Sequence, residues 1–410
     1  MAFQLALRNN VAHPFSSDNK AAGWKWLRLF LQRNPTLSAR KPQAMSLARV
    51  QGLNEESVNL FFSILKPELE KIKFNPLKVF NVDETGITVV QHKVRKIVAM
   101  KGKKSVHKLS AERGALVTVV MCMSASGSFV PPLMIFPRKL MKNELMDGAP
   151  PGAIGAANES GWITSDLFEK WFQHFISIVK PSKEDPIVLI LDGHYSHSCN
   201  LNLLNLACDN GVPIVCLPPH STSKLQPLDV SFMFPFKTYY AQAIENWLSN
   251  YPNRVVCNLQ IAQLFNEAYA KAEVVKTAVN GFKKTGILPY NPNVFGPEDF
   301  LATPPAEASS APEPSAKSQP STSTDIRPAS PSNQPSCSTQ IPQLTTVSPR
   351  DIVGVPVIHP STSKRRGNAA LLTSSPYKKK LQDSKEKIDL KVRKQLNPIP
   401  KTLPGKEKNS

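Results

Sequence analysis

Residues 186–197 read Pro186-Ile187-Val188-Leu189-Ile190-Leu191-Asp192-Gly193-His194-Tyr195-Ser196-His197. Five consecutive aliphatic side chains without polar alternation predict a strand buried on both faces, and the acid that follows stands at its carboxyl end. The flanking segments build outward from it. Ser165–Val179 has the spacing of an amphipathic helix, with Ser165 as its expected cap. Leu201–Asp209 predicts a second helix, and Val212–Leu217 a second buried strand. Strand, helix and strand in this order form a parallel crossover unit.

Upstream, Val79–Asp83 is a short apolar run ending in an acid, and Lys96–Met100 is a small strand. Ala115–Met123 and Ser128–Phe136 flank Ala125-Ser126-Gly127 as a hairpin. Residues 54–76 predict a helix leading into this domain, and 236–249 and 259–285 are helices after it. The fold class is α/β: a mixed sheet flanked by helices, with antiparallel strands first and βαβ crossovers after.

The 410 residues carry a net charge of +19, with 37 prolines and six cysteines. Residues 1–50 contribute +7 and residues 361–410 contribute +10, leaving +2 for the stretch between. Two basic ends around a near-neutral body point to a polyanion, nucleic acid first. No apolar run approaches the eighteen residues or so that span a bilayer, so no membrane association is expected. The cysteines form no CxxC pair, which argues against a zinc ribbon or a disulfide framework. Residues 301–360 hold 12 Pro and 17 Ser/Thr and no aromatic residue, and are expected to be disordered. Beyond them, Lys364-Arg365-Arg366 and Lys378-Lys379-Lys380 have the spacing of a bipartite nuclear-import signal, the bland alternative being a solvated basic tail. Ser-Pro pairs at Ser330, Ser348 and Ser375 are candidate phosphorylation sites.

From Trp24, the residues Leu27, Phe30 and Leu31 share one helical face, with Lys25, Arg28 and Gln32 on another, until Asn34-Pro35 stops the helix. A basic arm, Ser38-Ala39-Arg40-Lys41-Pro42, follows, then a short helix through Leu47-Ala48-Arg49. A helical unit with a basic face and arm suits a helix-turn-helix DNA binder, and it equally suits an ordinary amphipathic helix with a solvated side.

Three acids stand out. Asp83 and Asp192 end strands, and Asp229 precedes the helix that Pro235 is expected to open. Ligands of open α/β sheets gather at the carboxyl ends of strands, so Asp83 and Asp192 are neighbours if their strands pair. Carboxylates forced together repel, and divalent cations relieve that cost; hard oxygen donors suit Mg²⁺ or Mn²⁺, and a pair of such ions cleaves phosphodiesters. Taken singly, each aspartate is equally a turn-former or a helix cap. His194, His197 and Cys199 match no standard zinc spacing and are read as hydrogen-bonding groups. Glu84 is read as structural.

Several motifs together then resemble a family. Val82-Asp83-Glu84-Thr85-Gly86, Ser110-Ala111-Glu112-Arg113-Gly114 and Pro131-Pro132-Leu133-Met134-Ile135-Phe136-Pro137 come first. Leu191-Asp192-Gly193-His194-Tyr195-Ser196-His197, Leu217-Pro218-Pro219-His220-Ser221-Thr222, Leu225-Gln226-Pro227-Leu228-Asp229 and Gly281-Phe282-Lys283-Lys284-Thr285-Gly286-Ile287 follow in order. They resemble the DDE-type transposase domain of the pogo/Tigger/Jerky group over roughly residues 77–295. The resemblance implies an RNase H-like fold, two Mg²⁺ or Mn²⁺ ions, and DNA cleavage and strand transfer. Asp83, Asp192 and Asp229 fall on the family's three metal-binding, catalytic acids, with 36 residues between the second and third.

Residues 20–53 resemble the end of the centromere-protein-B-type helix-turn-helix that precedes this domain, so residues 1–53 are expected to be a partial DNA-binding region and 54–76 a helical linker. Lys25, Arg28, Arg33, Arg40 and Lys41, with Lys101, Lys103 and Lys104 from the basic loop of the catalytic domain, are the candidate DNA contacts. Residues 296–410 are expected to be a disordered tail. The implied partners are DNA and a nuclear import receptor, with homodimerisation open, and the implied compartment is the nucleus. Two other readings stand beside the enzyme: a domesticated, non-catalytic DNA-binding protein of chromatin or transcription, and a generic RNase H-like nuclease.

Overall fold

A computed structural model describes residues 1–40, 54–90, 101, 116–194, 199–300 and 369–396, and for Glu298, Lys385 and 388–396 the backbone alone. The expected strand at Lys96–Met100, the helix at Leu47–Arg49 and the Pro/Ser/Thr-rich segment 301–360 lie outside the described residues. So do Lys41, Lys103, Lys104, Lys364, Arg365, Arg366, His197 and the Ser-Pro pairs at Ser330 and Ser348.

The chain divides into two units. The described part of the first holds α1 (Ala2–Arg8) and α2 (Trp24–Arg33), neither with a buried residue. Its cohesion comes from a run of rings, Phe3, His13, Phe15, Trp26 and Phe30, whose successive centroids lie 5.2, 4.8, 5.4 and 5.1 Å apart. The expected face starting at Trp24 is therefore corrected. Trp24 is 85% exposed, and Trp26 is the tryptophan that stacks on Phe30.

The second unit is built on a seven-stranded sheet of order β4-β3-β2-β1-β5-β6-β7. Its strands are β1 (Val79–Ile87), β2 (Val117–Ser124), β3 (Phe129–Pro137), β4 (Ile154–Asn158), β5 (Val188–Leu191), β6 (Ile214–Cys216) and β7 (Ala370–Leu371). Three antiparallel strands, β1 to β3, adjoin two that run parallel to β1, namely β5 and β6. A mixed sheet with antiparallel strands first and parallel crossovers after is the α/β class that the sequence predicts. The β2–β3 turn runs through Gly127, whose φ of +100° is a conformation glycine adopts without steric cost.

Both faces of the sheet are covered. On one, α4 (Ser165–Val179) turns Phe168, Trp171, Phe172 and Phe175 inward, each fully buried, and α5 (Leu201–Asp209) lies beside it. The cap of α4 is Thr164 rather than Ser165; its Oγ1 accepts from the Leu167 amide at 3.3 Å. On the other face lie α3 (Glu55–Lys71), α6 (Met233–Asn250), α7 (Ile261–Ala272) and α8 (Val275–Lys284). Because Val58, Phe61, Phe62, Leu65 and Leu69 of α3 are buried in this core, residues 54–76 are a structural layer of the domain and not a linker. The expected helix 259–285 is two helices, broken at Glu273-Val274.

The disordered tail expected over 296–410 is corrected at both ends of its described part. At its start, Phe300 packs on the core. Further on, Ala370–Leu371 adds β7 to the edge of β6, Leu372 is buried, and α9 (Ser375–Leu396) rests Tyr377 and Leu381 on the α4/α5 side. The Ser375-Pro376 pair is thus the first turn of a helix, where proline's fixed φ fits and its missing N–H is no loss. Lys378, Lys379 and Lys380 lie on that helix, with Lys378 Nζ 3.7 Å from Cys208 Sγ.

Candidate active site

Parallel pairing of β1 with β5 sets Val79 beside Val188, Phe80 beside Leu189 and Asn81 beside Ile190. The same register step carries Asp83 level with Asp192, at the point where β5 ends and β1 continues. Asp83 is therefore not the last residue of its strand, as the sequence suggested. β1 runs on to Ile87, paired with β2, and Asp83 lies opposite Met121. Asp229 is also placed differently from expectation. Helical backbone begins before Pro235, with a π-helical turn over Leu228–Phe232 that leads straight into α6, and Asp229 sits in that turn.

Electrostatics ties the three acids together. Burial pushes the Asp83 carboxyl well above the ordinary carboxylate range, and the charges of Asp229, Glu84 and Asp192, in that order, push it further; a hydrogen bond from the Glu84 backbone opposes them. Asp229 thus acts on Asp83 more strongly than the adjacent Glu84 does. Asp192 accepts the His194 backbone amide at 3.1 Å, which fixes the turn after β5. Behind it, the Cys216 thiol is pushed up to about 12, first by burial and then by the Asp192 charge. Both effects favour the thiol over the thiolate, which counts against Cys216 as a nucleophile.

The donor chemistry fits a hard divalent cation: Asp83 is a buried carboxyl facing the charges of two other aspartates, a repulsion that a dication relieves. Among the described residues, however, no three His, Cys, Asp or Glu side chains stand grouped as a ready-made metal site.

Beside Asp192 opens a cleft of about 700 Å³, bounded by His194, Cys216, His220, Tyr377 and Lys380. His220 holds φ at +61°, uncommon for a non-glycine residue, in a turn pinned by Ser221, whose buried Oγ donates to the Pro218 carbonyl at 2.7 Å. The other candidate residues are dispersed. Lys25, Arg28 and Arg33 are exposed on α2, Arg40 is exposed beyond it, and Lys101 is an exposed turn residue.

Sequence reasoning missed two buried amides next to the acids, Asn81 and Gln226. The signal was there for Asn81, a lone polar residue at the centre of the apolar run Val79–Val82. It also missed the wall that α9 gives the cleft, although Ala369-Ala370-Leu371-Leu372 followed by Ser-Pro is a strand-and-cap pattern.

Residues 115–282 match the DDE superfamily endonuclease family; Asp192 and Asp229 fall inside the matched stretch and Asp83 before it. The chain is 27% identical over 230 residues to CENP-B homolog protein 2 of Schizosaccharomyces pombe, covering 54% of this chain and 42% of that protein. It is 25% identical over 267 residues to a Cochliobolus lunatus protein described as MFS-type transporter clz9, covering 63% of this chain and 28% of that one. The chain thus spans less than half the length of either relative. Among the described residues, no helix is long and apolar enough to cross a membrane. A solved Mos1 mariner paired end complex with Mn superposes with a TM-score of 0.39 at 10% identity, over 70% of this chain and 78% of that one. The central domain is thus similar, over residues 115–282, to the DDE superfamily endonucleases.

Proposed function

We propose that the central domain is a divalent-metal-dependent DNA strand-cleaving and strand-joining site of the pogo/Tigger/Jerky type, with Asp83, Asp192 and Asp229 as its metal ligands. The observation that carries this reading is the parallel register that sets Asp83 level with Asp192, together with the Asp229 charge that acts on Asp83. Two Mg²⁺ or Mn²⁺ ions, when bound, would supply an activated water or 3′-hydroxyl and stabilise the leaving oxygen. The chain's part is to hold three carboxylates on separate elements at one end of the sheet. The His194 amide fixes the Asp192 carboxylate, and Glu84 adds to the negative potential that draws in a cation.

DNA is the proposed substrate. Lys25, Arg28, Arg33, Arg40 and Lys41, with Lys101, Lys103 and Lys104, are its proposed backbone contacts, since exposed cations displace counterions from phosphates without reading sequence. The proposed compartment is the nucleus, with Lys364, Arg365, Arg366, Lys378, Lys379 and Lys380 meeting an import receptor, and the protein acting as a homodimer.

The decisive experiment is nicking of supercoiled plasmid by the full chain with Mn²⁺ or Mg²⁺. Asp192→Asn should abolish it, a loss on the order of a hundredfold or more, as expected when an electrostatic group acting on the transition state is removed. Undiminished nicking by that variant overturns the assignment. A second reading, a non-catalytic nuclear DNA-binding protein on the same fold, draws support from the acids' not standing grouped as a metal site among the described residues. Salt-dependent DNA binding without nicking by the wild type would establish it.

A further inference from the structure

Asn81 and Gln226 are both 0% exposed. Their amides form a closed set of hydrogen bonds spanning the three segments that carry the acids. Asn81 Nδ2 donates to the Ile190 carbonyl at 3.0 Å and to Gln226 Oε1 at 3.0 Å. Asn81 Oδ1 accepts the Leu228 amide at 3.0 Å, and Gln226 Nε2 donates to the Val82 carbonyl at 3.3 Å. Every backbone anchor lies within two residues of an acid: Val82 precedes Asp83, Ile190 is two residues before Asp192, and Leu228 precedes Asp229.

A pair of buried amides is a costly way to fill a core that otherwise consists of Val, Ile, Leu and Phe, because each polar atom must recover the water it gave up. Apolar side chains of the same volume would pack there without that demand. What apolar side chains lack is direction. The amide pair fixes the axial offset between two parallel strands and the height of a helical turn above them. A second contact holds the same turn from its far side. A Cβ on Gly281 of α8 would come within 2.5 Å of Ser231 Oγ and 2.8 Å of the Pro227 carbonyl, so α8 lies directly against the turn that bears Asp229.

We propose that Asn81 and Gln226 are positioning residues that set the mutual spacing of Asp83, Asp192 and Asp229, and thereby the affinity of the site for a divalent cation. The proposal rests on the metal-site reading above. Hydrogen-bond partners that orient metal ligands typically tune affinity by about 10–100-fold, and the amide pair does so through three backbones at once.

The test uses the full chain and two readouts: Mn²⁺ binding by electron paramagnetic resonance of the free ion, and urea unfolding in EDTA. Gln226→Met keeps the volume and removes the hydrogen bonds; it should bind Mn²⁺ at least about tenfold more weakly than wild type, measured on protein that remains folded. Gln226→Glu keeps the acceptor for Asn81 and, at a pH where its carboxyl is ionised, loses the bond to Val82, so its loss at that pH should be smaller than that of Gln226→Met. DNA affinity in EDTA should be the same in all three proteins. Wild-type Mn²⁺ affinity in Gln226→Met, with only the urea midpoint lowered, overturns the proposal. If Gln226→Met gives no cooperative unfolding transition, wild-type affinity in Gln226→Glu overturns it instead. Asp192→Asn run in parallel separates the two levels. Lost Mn²⁺ binding in that variant beside unchanged binding in the Gln226 variants rejects the positioning role alone. A wild type that takes up no Mn²⁺ rejects the metal site and the positioning role together.

Discussion

The N-terminal unit and the central domain solve opposite problems. Residues 1–40 have two short helices without a buried residue, a line of aromatic rings in contact, and basic side chains turned to solvent. The central domain buries dozens of apolar side chains on both faces of a sheet and hides its decisive polar groups among them. In the first region the functional candidates are exposed charges that a substitution can remove without disturbing packing. In the second they are held in place by the core, so chemistry and stability are coupled.

Three measurements can break or sharpen that contrast. The largest effect is expected at the C-terminal edge. Leu372 is 1% exposed and packs with the α4/α5 core, so Leu372→Ala should cost about 2–5 kcal/mol of unfolding free energy in urea, as for other fully buried leucines. A cost below about 0.5 kcal/mol would mean that β7 and α9 are not part of the domain in solution.

The next effect is at Asp83 and depends on pH. Because its folded-state pKa is raised, its contribution favours the folded state below the unfolded carboxylate value, near 4, and is lost as pH rises through the folded-state value. In EDTA, Asp83→Asn should therefore melt progressively higher than wild type from pH 4 toward neutrality, and added Mn²⁺ should stabilise the wild type alone. A melting difference independent of pH would reject the raised pKa.

The smallest effect on folding, within about 0.5 kcal/mol, is expected for Arg28→Gln on α2, an exposed position. Its DNA affinity should fall, with the slope against log salt concentration reduced by about one. A large loss of stability there would show that α2 is packed more tightly than its exposure indicates.

Much of this architecture is legible in the sequence because the responsible signals are local. The aromatic stripe of Ser165–Val179 and the continuous aliphatic run before Asp192 each need only their own neighbours to be read. What escapes is set by partners distant in the chain. Asp83 lies mid-strand because β2 continues to pair with β1 past the end of β5. The Asn81–Gln226 contact joins residues 145 apart. The short apolar run Ala369–Leu372 is visible in the sequence, but its pairing as a strand depends on the edge that β6 offers it more than 150 residues earlier. Asp192 and Asp229 stand out in sequence by motif, but their relation to Asp83 is a matter of register.

The pairing of β7 with β6 also makes the central domain discontinuous in the chain. A boundary drawn at residue 300, where composition changes, leaves Ile214–Cys216 as a bare edge and uncovers the apolar surface beneath Leu372, the condition that invites strand addition by a foreign chain. The segment 369–396 is in this sense a built-in donor strand. Proteolysis between Phe300 and Ala369 need not release it, since its hold on the domain is through the sheet and the core rather than through the peptide bonds that lead to it.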